Sequence, residues 1–222
     1  MENITGTSWR FKLKLALHLL ITVTGFISVI LHVLYSPDPL VSLTKFTFQT
    51  NLMVSITFLC SSHAILFRKK QTKFLDFFKN ASVIYMFVCI FTYHFLLASG
   101  GEYIGIRVIT NFTLHYFIPI AVFINWLLFE PNKKYSYKFI FYWMIYPVLY
   151  CIISIVRGMF DGFYPYFFLN PNGEIPSGVG SYSNVAFFIA VFLFVYIILG
   201  FLLIILNRIF MREDNRKDVF DS

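Results

Sequence analysis

Six long apolar runs constrain this chain more than anything else in it. They occupy residues 15–35, 46–67, 80–98, 108–129, 139–156 and 185–206. Each approaches the roughly 20 residues that a helix needs to cross a hydrocarbon core about 30 Å thick. In lipid every backbone polar group must be satisfied internally, and a helix does this within one segment. The reading is therefore all-α: a polytopic membrane protein with a six-transmembrane-helix bundle over residues 15–207. A cytoplasmic tail of residues 1–14 precedes the bundle and another, residues 208–222, follows it. Composition agrees, because only 13% of the residues are charged, against about 25% in a soluble domain.

The first run has a basic flank, Arg10, Lys12 and Lys14, as a signal peptide would. It is too long for a signal core, however, and Ser36-Pro37-Asp38-Pro39 lacks the small-residue cleavage pattern. A helix of the mature protein is expected there.

Basic residues orient the bundle. Of 18 Lys and Arg, three lie in residues 1–14, five in 68–79, three in 133–138 and four in the C-terminal tail. Only Lys45, Arg107 and Arg157 fall on the other side. The basic side faces the cytoplasm, so both termini are expected inside, and this requires an even number of crossings. The localisation that follows is a cell membrane, with the lipid bilayer as first partner. The net charge of +7 sits at the ends of the runs, where it sets topology, and nucleic acid is excluded as a partner. Cys60, Cys89 and Cys151 fall inside apolar runs at no metal or redox spacing. The five histidines are scattered, so neither a metal nor a cofactor is expected.

Polar residues inside the runs are the candidates for function, since they are expensive in lipid. The fourth run carries Asn111, Thr113 and His115. At about 1.5 Å per residue, His115 lies roughly 10 Å below the outer end. Asn111, His115, Ile118, Val122 and Asn125 share one helical face. Thr47, Asn51 and Ser55 share a face in the second run, with Thr50 offset by one position. Tyr93 and His94 close the third run, and His32 the first. Arg157 and Asp161 stand four apart beyond the fifth, an ion-pair spacing on a helix. Pro119 cannot bond back to the His115 carbonyl, and a kink is expected there. His18 and His63 form a second layer toward the cytoplasm, read as packing or interfacial histidines. No carboxylate lies inside any run, which argues against an ion-coupled pump. The outer connection 157–184 is rich in turn dipeptides and tyrosines. It reads either as a cap over the outer mouth or as a plain loop.

A hydroxyl beside a neutral imidazole is the minimum for nucleophilic acyl transfer, completed by an orienting group and oxyanion donors. Asn51 and Asn111 are available in the supporting roles beside His115. The plainer reading has Ser and Thr bonding their own helix and Asn and His joining helices.

The run Phe46-Thr47-Phe48-Gln49-Thr50-Asn51-Leu52, Leu114-His115-Tyr116 with Pro119, Tyr146-Pro147, Arg157-Gly158 and Tyr164-Pro165-Tyr166 resembles a prokaryotic six-transmembrane family, the Pr-six-Pr membrane proteins. That resemblance implies six helices and no particular activity. More distantly, the layout is similar to the androgen-induced and ADTRP proteins, hydrolases of fatty acid esters of hydroxy fatty acids that use an intramembrane threonine and histidine. By that resemblance His115 is the histidine and Thr47, or else Thr50, the nucleophile. In that family the threonine precedes an asparagine by three residues. Here Thr47 precedes Asn51 by four and Thr50 precedes it by one.

Two functions from different classes are thus expected. One is a threonine-dependent intramembrane hydrolase of lipid esters, with Thr47 attacking and His115 as base. The other is a non-enzymatic protein that binds or passes a small amphiphile or lipid at an outer-leaflet polar pocket, with Asn51, Asn111, His94 and Arg157 in the supporting cluster.

Overall fold

The computed structural model of the chain describes residues 4–98, 103–130 and 135–220, with side chains over 9–98, 103–130 and 135–210. Residues 99–102 and 131–134, with Glu102, Lys133 and Lys134 among them, lie outside these. The helices run α1 (Ile4–Leu34), α2 (Pro39–Thr44), α3 (Phe46–Leu66), α4 (Lys73–Thr92), α5 (Ile106–Phe112), α6 (Ile118–Phe129), α7 (Lys138–Asp161) and α8 (Tyr182–Phe220). No strand occurs among the described residues.

Two helices depart from the regular ladder. A π-helical turn, Tyr93–Leu97, continues α4, and a second, Thr113–Phe117, joins α5 to α6. In each the register slips by one, so Ala98 N–H bonds the Tyr93 carbonyl and Ile118 N–H the Thr113 carbonyl. Pro119 stands two residues after the second and removes the N–H that would have bonded His115.

Among the described residues five stretches are long and apolar enough to cross a membrane: Trp9–Leu34, Lys73–Leu97, Ile106–Phe129, Lys138–Asp161 and Tyr182–Phe210. The second apolar run of the sequence, now α3, is long enough at 21 residues but too polar. It carries Thr47, Gln49, Thr50, Asn51, Ser55, Thr57, Ser61, Ser62 and His63. Most of these are buried, so the helix is tolerated by being enclosed in protein.

The chain folds in two units, Met1–Glu130 and Pro131–Ser222. In the first, α3 packs between α1 and α4, and α6 closes the ring by packing on α4 and α1. Leu20, Val23, Ile27, Ile30 and Leu34 form an exposed apolar stripe on α1, while His18, Thr22, Ser28 and His32 point inward. This polar-in, apolar-out arrangement suits a helix facing lipid on one side and protein on the other. Gly25 brings α1 against α3, where a Cβ would lie 2.1 Å from Ser55 Oγ. Close approach at small residues is the usual means of packing helices that gain nothing from a hydrophobic drive.

In the second unit α7 and α8 pack together with the connection between them. Gly162 ends α7 in the left-handed conformation (φ 74°). The connection is built rather than slack. Asn170 Nδ2 donates to the Ser177 carbonyl (2.9 Å) and Val179 N–H to the Asn170 carbonyl (2.9 Å). Phe168 is buried and its ring lies 5.1 Å from that of Phe192 on α8. The Arg-Gly and Tyr-Pro-Tyr elements meet here, because Gly158 leaves the room that the Tyr164 ring fills.

Candidate functional site

The ring of helices in the first unit gathers the polar residues of four elements. Asn51, from α3, donates Nδ2 to the Thr47 carbonyl (2.8 Å) and to the Leu114 carbonyl (3.1 Å). It therefore ties α3 to the π turn beside His115. The His115 ring is buried and Nδ1 lies 2.9 Å from the Asn111 carbonyl. A carbonyl only accepts, so Nδ1 carries the proton, and the neutral ring keeps a lone pair on Nε2. Tyr93 stacks on this ring, with centroids 4.0 Å apart. The Tyr93 hydroxyl accepts from Asn111 Nδ2. Both π turns thus meet at the His115–Tyr93 stack, in keeping with their frequent occurrence at functional positions.

Asn51 Oδ1 and Asn111 Oδ1 are buried without a hydrogen-bond partner, and so is Arg107 Nε. Buried polar atoms are nearly always satisfied, and an orphan costs about 1–3 kcal/mol. Three such orphans come from α3 and α5. His32 sits in the same ring, with Nδ1 3.0 Å from Thr110 Oγ1.

The threonines expected as nucleophiles lie elsewhere in the bonding scheme. Thr50 Oγ1 reaches the carbonyls of Phe46 (2.9 Å) and Thr47 (3.1 Å) and lies 3.4 Å from Cys89 Sγ. The Thr47 hydroxyl is also a hydrogen-bonding neighbour of Cys89. Neither threonine bonds His115 among the described residues. Ser55, Thr57, Ser62 and Ser82 likewise bond back to the carbonyl four residues before them, at 2.7–2.8 Å. His94 is exposed, and reaches the cluster only at its rim, with Nδ1 3.2 Å from Tyr116 Oη. Arg157 belongs to the second unit, where it is exposed and pairs with Asp161 at 2.8 Å. The helical spacing of that pair was legible in the sequence.

A second polar group went unread in the sequence. α4 begins at Lys73, seven residues before the third apolar run, and so takes Asp76 and Lys79 into the helix. This corrects the expectation that no carboxylate lies within a crossing. Lys79 is 2% exposed. Its Nζ lies 2.7 Å from Glu130 Oε2 and 3.5 Å from Asp76 Oδ1, and it donates to Gln71 Oε1. Lys14 Nζ completes the group 3.1 Å from Glu130 Oε1. His18 is wholly buried above it, edge-on to Phe58 at 4.9 Å, and neither of its ring nitrogens has a well-aligned hydrogen bond. His63, by contrast, is exposed and packs on Phe67. Charged residues flanking apolar runs look like solvated ends, which is why these were missed. The one available signal was Glu130, a lone acid at the end of an apolar helix.

Among the described residues no group of three His, Cys, Asp or Glu is placed to hold a metal ion. No family model, curated protein or solved structure matches this chain, and the Pr-six-Pr and ADTRP likenesses remain resemblances carried by the residues quoted for them.

Proposed function

We propose that the first unit is a receptor for a small amphiphile or lipid, held with its polar end against the His115–Asn111–Asn51 cluster. The observation that carries this reading is the pair of buried, unpartnered amide oxygens on Asn51 and Asn111. They call for donors, and the His115 Nε2 lone pair calls for another. A head group bearing hydroxyl or amide hydrogens answers all three. The chain is read as a multi-pass protein of the cell membrane that crosses it six times with both ends cytoplasmic, α3 being the enclosed crossing. The test is mass spectrometry of lipid co-purifying with the full chain after delipidating washes. A single lipid class retained near one per chain is expected, with retention lost in Asn111→Leu and His115→Leu. A folded parent that retains no lipid would overturn the reading.

A second reading, threonine-dependent hydrolysis of a lipid ester, is supported by the His115 tautomer, which leaves Nε2 ready to take a proton. It requires Thr47, or Thr50, to give up its present neighbours and turn to His115 when substrate binds. Labelling by a fluorophosphonate probe that disappears in His115→Ala and in one threonine variant would support it. An unlabelled parent that still retains its lipid would leave binding as the function.

A further inference from the structure

We propose that Lys45 and Arg107 form an oxyanion subsite that holds the phosphate of an anionic lipid at the outer edge of this cluster. The inference rests on the amphiphile-binding reading and adds the charge of the ligand to it.

Both side chains are half-buried, and neither has a carboxylate within ion-pair distance among the described residues. They are also two of only three basic residues on their side of the bundle by the charge pattern of the sequence. Lys45 stands at the N-terminus of α3 and Arg107 in the first turn of α5. The end of α1 ties them together: His32 bonds Thr110, three residues after Arg107, at 3.0 Å, and α2, which leads directly into Lys45, packs on the same helix. Burial, and then the Arg107 charge, push the Lys45 ammonium below the ordinary lysine range.

Arg107 is held in place for a planar partner. Its guanidinium carbon lies 5.1 Å from the Tyr103 ring centroid, a cation–π seat that fixes the plane of the group. Nε is buried with no acceptor. An arginine so placed matches a phosphate through paired N–H donors, while a lysine contributes a point charge. The neighbouring His32 and Thr110 satisfy each other, so they do not neutralise the cations. Two like charges sharing a half-buried place with no counter-ion among the described residues are a standing cost, and a phosphate removes it. The same chemistry serves a lipid head group or free inorganic phosphate, but the lipid-facing apolar belt on α1 and the orphaned amides beyond favour a ligand with a tail.

The test uses the full chain in detergent, with dioleoyl phosphatidylglycerol and dioleoyl phosphatidylcholine as probes, read by native mass spectrometry. Preference for the anionic lipid by about tenfold, equivalent to about 1.4 kcal/mol, is expected. Lys45→Gln and Arg107→Gln should each abolish the preference while the variants keep their thermal unfolding midpoint. Millimolar inorganic phosphate that fails to displace the lipid is expected; displacement by it would overturn the lipid assignment. Equal retention of both lipids would overturn the subsite and leave the amphiphile reading standing. Retention of neither would end both. Glu102, outside the described residues, is tested directly. Glu102→Gln should leave the preference unchanged, and a preference that appears only in Glu102→Gln would make that residue the counter-ion and overturn the proposal.

Discussion

Lysines stand at both ends of the first unit, and the two ends treat them in opposite ways. Lys79 and Lys14 share Glu130, and Lys79 also reaches Asp76 and Gln71. Lys45 shares its surroundings with Arg107 and no acid among the described residues. The first arrangement is closed: every charge has its partner within the protein, and its role is to fasten α1, α4 and the end of α6. The second is open, and its unbalanced charge lies beside orphaned amides. A buried ion network that is complete holds helices together, whereas an incomplete one is a site for something else.

The sharpest way to break this contrast is to unpair each end. Lys79→Met leaves Glu130 without its best partner and should cost about 3–5 kcal/mol, read as a lowered unfolding midpoint. The double variant Lys79→Met/Glu130→Gln should recover most of the loss. Lys45→Met should cost nothing measurable or add stability, since it removes an unpaired charge. Equal losses at the two ends would erase the distinction.

Smaller effects sharpen it. Gly25→Val pushes Ser55 away from α1 and should cost about 1–3 kcal/mol through overpacking, with the open cluster loosened more than the closed one. Limited proteolysis or lipid retention would show which end gave way. Trp126→Phe deletes the 3.0 Å bond from the indole to Asn80 Oδ1. The loss of this bond to a buried acceptor should cost about 1–3 kcal/mol and leave anionic-lipid preference untouched. The smallest effect is one of pH. The Lys45 pKa is lowered in the folded protein, so folding disfavours its charged form. That penalty is complete below the folded pKa and relieved as pH rises past the unfolded value. Anion binding needs the charged form and should run the other way, weakening as pH climbs through the lowered pKa. His32 and Arg107 face the same place. Tyr103 faces Arg107 too, and burial raises its phenol above the ordinary tyrosine range, so a slope that begins below the ordinary lysine value belongs to Lys45. A flat binding profile up to the ordinary lysine pKa would remove Lys45 from the site.

Much of the candidate cluster was legible along the chain. Asn111, His115, Ile118, Val122 and Asn125 share a face by helical spacing, and all five are buried. Thr47, Asn51 and Ser55 are buried together for the same reason. His94 and Arg157 were drawn in by depth alone, and depth says nothing of direction. His94 faces outward at the rim, and Arg157 pairs within its own unit.

What the sequence determined by itself is the class of the molecule: helical, apolar enough to enter a membrane, with polar residues held on particular helical faces. Those are properties of local composition and of a 3.6-residue period, and both can be summed along a chain. Only the tertiary structure decided the ring order of α1, α3, α4 and α6, the enclosure of a helix too polar to face lipid, and the meeting of Lys79 with Glu130 across 51 positions. It also decided which hydroxyls bond their own carbonyls and which polar atoms are left without partners. Whether a charge is satisfied depends on what another helix brings to it, and that is settled by packing across the bundle rather than by any neighbour in sequence.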